Sequence, residues 1–217
     1  MSIKYCFSLL MVLFCWQGIQ GQTSIDSLLD VPVKNLTLRG DSIALILDEV
    51  AEKCKVPIGL EKALSASESA QIKIDVKEGT LRDVLNAVVQ GDSRYEWKPV
   101  DGVISFFPKL QRDQFLADLL ETRVESYRID EKTGRWDIRV EITELPEIKA
   151  KLQSSDVLPV IGAWSTPDFA EASRGFRMNV HDLTLRELLN QIIRTSDMKR
   201  WTIRRYGDRF HYLGLNF

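Results

Sequence analysis

Residues 72–97 align without a gap on residues 176–201, at an offset of 104. Val76/Val180, Thr80/Thr184, Leu81/Leu185, Arg82/Arg186, Leu85/Leu189, Asn86/Asn190 and Trp97/Trp201 are identical. Asp83/Glu187, Val84/Leu188, Val88/Ile192 and Val89/Ile193 are similar. A chain that repeats one apolar spacing in this way is expected to build the same supersecondary unit twice.

Each copy reads as strand, helix, hairpin. Ile72, Ile74 and Val76 alternate, as do Phe176, Met178 and Val180, which predicts strands with one buried face. A helix follows, opened by Thr80 or Thr184, whose hydroxyl can accept from an orphan backbone N–H. Glu187 completes a Thr-x-x-Glu capping box, and Asp83 is its shorter counterpart. Leu81, Val84, Leu85, Val88 and Val89 form one helical stripe, repeated by Leu185, Leu188, Leu189, Ile192 and Ile193. Strands around Tyr95–Trp97 and Val103–Phe107, then Trp201–Ile203 and Phe210–Leu213, close the copies, with turns at Asp101-Gly102 and Gly207-Asp208.

Upstream, Leu36 and Leu38 alternate and Gly40 breaks the strand. Ser42 precedes a helix with Ile43, Ile46, Leu47, Val50, Ala51 and Cys54 on one face. Pro57 ends it before a short strand at Ile58–Leu60, and Ser65 to Gln71 is expected to be a loop. In the second half, Trp136, Ile138, Val140 and Ile142 alternate as a strand, before a short helix from Pro146 to Leu152. Leu158-Pro159-Val160-Ile161-Gly162 is similar to Val56-Pro57-Ile58-Gly59. The fold class expected is therefore α+β: two tandem small β-α-β-β-α-β-β modules with mixed sheets, the second eroded. The expected boundaries are 33–108 for the first module, 109–123 for a connecting helix and 124–217 for the second. Units this small are marginal alone, so mutual packing is expected.

Residues 1–21 stand apart. Lys4 is their only charge, and the apolar run from Tyr5 to Trp16 is too short to span a bilayer, which takes about 20 residues. This reads as a secretory signal peptide cut after Gly21, with a buried N-terminal element as the alternative. Cys15 raises lipidation, although Phe14 is larger than the small residue that such cleavage wants. Cleavage would leave Cys54 as the one remaining thiol, unable to close an intramolecular disulfide and expected to be packed and inert. Asn35-Leu36-Thr37 fits a glycosylation sequon.

The first unit resembles the secretin and TonB N-terminus short domain. The likeness is carried by Leu36-Thr37-Leu38-Arg39-Gly40, Ser42-Ile43, Leu47, Ala51, Ile74-Asp75-Val76 and Thr80-Leu81-x-x-Val84-Leu85, then Tyr95, Gly102 and Val103-Ile104. It covers about residues 33–107, and 136–213 through the later half. The resemblance implies a periplasmic α+β docking module without catalysis, contacting inner- or outer-membrane components or anti-sigma regulators. No secretin pore or receptor barrel is expected within these 217 residues, so channel and transport functions are not carried over. An exported bacterial envelope adaptor is the expectation, with a secreted or lipid-anchored location as the alternative.

Hydrophobic residues make up 44% and charged residues 28%, which excludes a disordered chain, a collagen and a multi-pass membrane protein. His181 and His211 are the only imidazoles, and no His-x-x-x-His, Cys-x-x-Cys or Gly-x-Ser-x-Gly pattern is present. No metal, no cofactor and no enzymatic activity are therefore expected. Residues 22–173 hold 19 Lys and Arg against 27 Asp and Glu, whereas residues 174–217 hold 9 against 4. Arg200, Arg204, Arg205 and Arg209 concentrate that excess around the last hairpin and are the candidate partner-binding residues. Such a surface suits an acidic protein partner, or it is a solvated face offsetting the acidic first unit. Nucleic acid is not the expected partner, since net charge is only -2. The competing reading is a small-ligand or polyanion binder, using this hairpin or a cleft between modules.

Overall fold

The computed structural model describes residues 25–63, 71–131, 133–160, 176–207 and 211–217. The expected signal peptide with Cys15, the 65–71 loop up to residue 70, and Arg209 lie outside them. The architecture is α+β, with mixed parallel and antiparallel sheets.

The first half runs α1 (Ile25–Leu29), β1 (Pro32–Gly40), α2 (Ile43–Cys54), β2 (Ile58–Glu61), β3 (Ile72–Thr80), α3 (Leu81–Gly91), β4 (Tyr95–Val100) and β5 (Val103–Pro108). The second runs α4 (Gln114–Leu120), β6 (Arg123–Ile129), α5 (Arg135–Glu144), α6 (Pro146–Ser154), β7 (Val157–Pro159), β8 (Met178–Thr184), α7 (Leu185–Thr195), β9 (Arg200–Tyr206) and β10 (His211–Asn216). The pairing order repeats between them. β1 pairs antiparallel with β3, and β6 with β8. β4, β5 and β2 form one triplet, β9, β10 and β7 the other, each with an antiparallel hairpin and a parallel third strand. The triplets then join through β2 and β9, in parallel, as the six-stranded order β4-β5-β2-β9-β10-β7.

Local chemistry accounts for the elements. Thr80 and Thr184 cap α3 and α7, and each accepts from the backbone N–H three residues on, while Asp83 and Glu187 accept from the cap residue's own N–H. Ser42 caps α2, and Lys55 ends it in a left-handed conformation. The β4–β5 turn has Asp101 at φ 50° and Gly102 at φ 75°, the paired positive angles that match the twist of a two-residue hairpin.

The segment expected as a strand through Trp136 and Ile142 is instead the helix α5. Ile138 and Ile142, four residues apart, are both buried, so the apolar positions satisfy a helical stripe as well as an alternation. Asp137 accepts from the Gly134 N–H at 3.1 Å and fixes the first turn. The strand of this half is β6, immediately after a connecting helix shorter than the 109–123 expected. Its apolar residues do not alternate cleanly: Val124, Tyr127 and Ile129 are buried. Asp182, opposite Glu125, lies at φ 53° and changes the phase of both strands. Asn35, at φ 53°, interrupts the β1–β3 ladder in the same way.

Each half has its own core, but the partition is not clean. Val103 of β5 packs with the second core. The first core runs through Leu38, Leu47, Leu60, Leu85 and Phe106. The second runs through Leu120, Ile142, Leu189, Ile192 and Trp201.

Candidate docking surfaces and the joint between the halves

At the joint, β2 and β9 pair with Gly59 opposite Trp201. Ile58 N donates to Lys199 O, and Lys62 N to Ile203 O, each at 2.9 Å. The indole of Trp201 lies on Gly59 so closely that a Cβ there would sit 2.5 Å from Cζ2. Trp201 Nε1 donates to Asn190 Oδ1 at 2.8 Å, and Asn190 Nδ2 donates to Val100 O at 3.3 Å, gripping the turn of the first half. Arg194 adds a bond from Nη1 to Asp101 O at 3.0 Å.

Charged groups complete the joint. Glu61, 1% exposed, accepts from Arg112 Nε at 2.7 Å and from Nη2 at 3.0 Å. Arg186 Nη2 reaches the same carboxylate at 3.5 Å, and its Nε reaches Glu121 at 3.1 Å. A buried carboxylate is tolerable only with such partners, because desolvating an unpaired charge is costly. Around this network lies a polar cleft of about 290 Å³, lined in part by Lys98, Ser105, Arg112 and Arg186. Ser105 Oγ is buried there without a hydrogen-bond partner.

Among the described residues, the candidate arginines of the last hairpin lie on both faces of β9. Arg200 pairs with Asp48 of α2 across the joint. Burial pulls its guanidinium below the ordinary value and pushes the Asp48 carboxyl up, with the ion pair opposing both. Arg205 Nε bonds to Asp113 Oδ2 at 2.6 Å, and Asp113 is 1% exposed. The Arg205 guanidinium also lies 5.6 Å from the Phe115 ring centre. Arg204 projects from the opposite face of β9 and stacks 4.7 Å over Tyr206. Arg209 lies outside the described residues. Two of the four candidates are thus engaged within the chain, and sequence reasoning missed their partners because Asp48 and Asp113 are remote in sequence.

His181 is exposed and His211 half-buried, on β8 and β10 respectively. Cys54 is half-buried, and burial raises its thiol above the ordinary value, which disfavours the nucleophilic thiolate. It lines an apolar groove of about 320 Å³ between α1, β1 and α2, with Leu28, Val33, Leu36 and Leu81. Among the described residues no cluster of His, Cys, Asp and Glu has metal-holding geometry, and no helix is long and apolar enough to cross a membrane.

Comparison with family models, curated proteins and solved structures finds no match.

Among the described residues, the two edges of the six-stranded sheet without a further strand are β4 and β7. Lys109 N donates to Arg94 O across the hairpin, so Glu96, Lys98 and Val100 direct their backbone groups at β5, and Tyr95, Trp97 and Pro99 direct theirs outward. Val160 N donates to Leu213 O, which by the same logic turns Pro159 outward on β7. Each free edge therefore carries a proline where an outward N–H would stand, a device that blunts edge-to-edge association.

Proposed function

We propose that the chain is an exported, non-enzymatic protein–protein docking module, an accessory component of a bacterial envelope secretion, transport or signalling system. The observation that carries this reading is the joint itself. One half takes hold of the other by parallel strand pairing, a glycine-seated tryptophan and charge-assisted bonds. That is the mode by which sheet-edged modules hold peptides and proteins. The likeness of residues 33–107 to a periplasmic docking domain points the same way.

The test is in-situ crosslinking of residues 22–217 in the native envelope, with mass spectrometry of the products. Arg204→Glu is the informative variant, because Arg205→Glu would strand the buried Asp113 and unfold the chain. A single dominant envelope protein, lost in Arg204→Glu while the far-UV spectrum is unchanged, supports docking through the hairpin face. A clean monomer with no protein crosslinked anywhere overturns the docking reading.

The competing reading, a small-ligand binder, is favoured by the unpartnered Ser105 hydroxyl in the polar cleft between the halves. Ser105→Val discriminates: it should leave protein crosslinks unchanged if docking is the function.

A further inference from the structure

The Trp–Asn hydrogen bond occurs twice. Trp97 Nε1 donates to Asn86 Oδ1 at 3.1 Å, at the same spacing as Trp201 and Asn190. The environments differ. Asn190 is 1% exposed and Trp201 1% exposed, because β2 lies across them. Asn86 is exposed and Trp97 half-buried, and among the described residues no strand pairs with the outer side of β4. The second copy of the pair is closed by a strand; the first is the same structure without one.

Resting on the docking reading above, we propose that the β4 edge beneath Trp97 is a binding site for an extended segment of a partner protein. The segment runs parallel to β4 and places a glycine opposite Trp97. The occupant's chemistry is taken from β2, where Ile58 and Leu60 flank Gly59 and any side chain at the central position would strike the indole. Backbone supply agrees. Trp97 offers an outward N–H and C=O, and the carbonyls of Tyr95 and Pro99 are also directed outward; the parallel register at the joint turns the Ile203 N–H toward β2, and Pro99 at the matching position has no N–H to offer. A second copy of this chain is a poorer occupant. Its β2 is interior to the sheet, and its β7 edge carries Pro159, which lacks a donor just as Pro99 does.

The probe is a capped synthetic peptide of this chain's own residues 56–62, titrated into the full ¹⁵N-labelled protein. Saturable shifts of the Trp97 indole N–H and the Trp97 amide, with the Trp201 indole unmoved, are expected. A peptide carrying Gly59→Val should bind at least about tenfold more weakly, about 1.4 kcal/mol. This control leaves the protein unaltered, so it stands even where Trp97→Ala perturbs folding. Absence of β4 shifts at saturation, or equal binding of the valine peptide, overturns the site. The same shifts on concentrating the protein alone would identify a second copy as occupant and overturn the partner assignment. If envelope crosslinks are captured and survive Trp97→Ala, the docking reading stands and this placement falls. If none are captured, the docking reading falls.

Discussion

A methyl group on Gly59 would sit 2.5 Å from Cζ2 and 2.6 Å from Cε2 of Trp201, inside a sheet whose neighbours on both sides are fixed. The ring cannot swing aside without giving up its bond to Asn190, so the strain falls on the joint itself. Gly59→Ala is therefore expected to destabilise the chain by about 1–3 kcal/mol, as overpacked cores do. Urea denaturation checks this, and an unchanged midpoint would mean that the joint yields freely. Thr184 is a separate case. Its hydroxyl and N–H hold Glu187, and those bonds keep the Glu187 carboxyl below its ordinary value. A group depressed in the folded state contributes stability above its unfolded pKa and loses it as pH falls through the folded one. Thr184→Ala should cost about 1 kcal/mol near neutrality, typical of a lost cap. Its deficit should shrink as acid removes the charge, which denaturation at about pH 7 and about pH 3 measures. These capping residues were legible in the sequence because a cap is a local pattern. The Trp–Asn bond was visible only as two identities at one offset, since nothing local says that an indole reaches back eleven residues to an amide.

At the scale of elements, the repeat identified α3, α7 and the closing strand pairs, where apolar period and caps agree; the expected turn at Asp101-Gly102 is present, and Asp208 of the other lies outside the described residues. α5 was misread because Ile138 and Ile142 fit both periods. β6 stayed hidden because the phase change opposite Asp182 erases its alternation. The edges carry the next prediction. Pro99 stands at the position that Ile203 fills in the second half, where Ile203 O accepts from Lys62 N and the parallel register turns the Ile203 N–H toward β2 as well. Pro99→Ile would restore that donor on β4. It is expected to tighten binding of the 56–62 peptide and to raise self-association, read as an increase in weight-average mass with concentration. Identical sedimentation of parent and variant would show that the proline is not what keeps the edge closed.

For the whole molecule, the decisive feature is that one sheet runs through both halves. Two tandem modules could have been read as two domains on a linker, each unfolding alone. Instead β2 and β9 are neighbours, Val103 of the first half packs in the second core, and Arg186 of the second half neutralises the almost fully buried Glu61 of the first. None of these links follows from periodicity, because each depends on which strands the fold sets side by side. Their consequence is cooperative. Arg205→Ala leaves Asp113 as a buried carboxylate without its guanidinium, a loss of about 3 kcal/mol. That loss should appear equally in both halves, because neither can open without breaking the continuous sheet. Hydrogen exchange at β5 and at β10 is the measurement: in the variant, protection should fall together and by the same factor. If β10 loses protection while β5 keeps it, the halves unfold separately, and the joint is a contact between two domains and not part of one core.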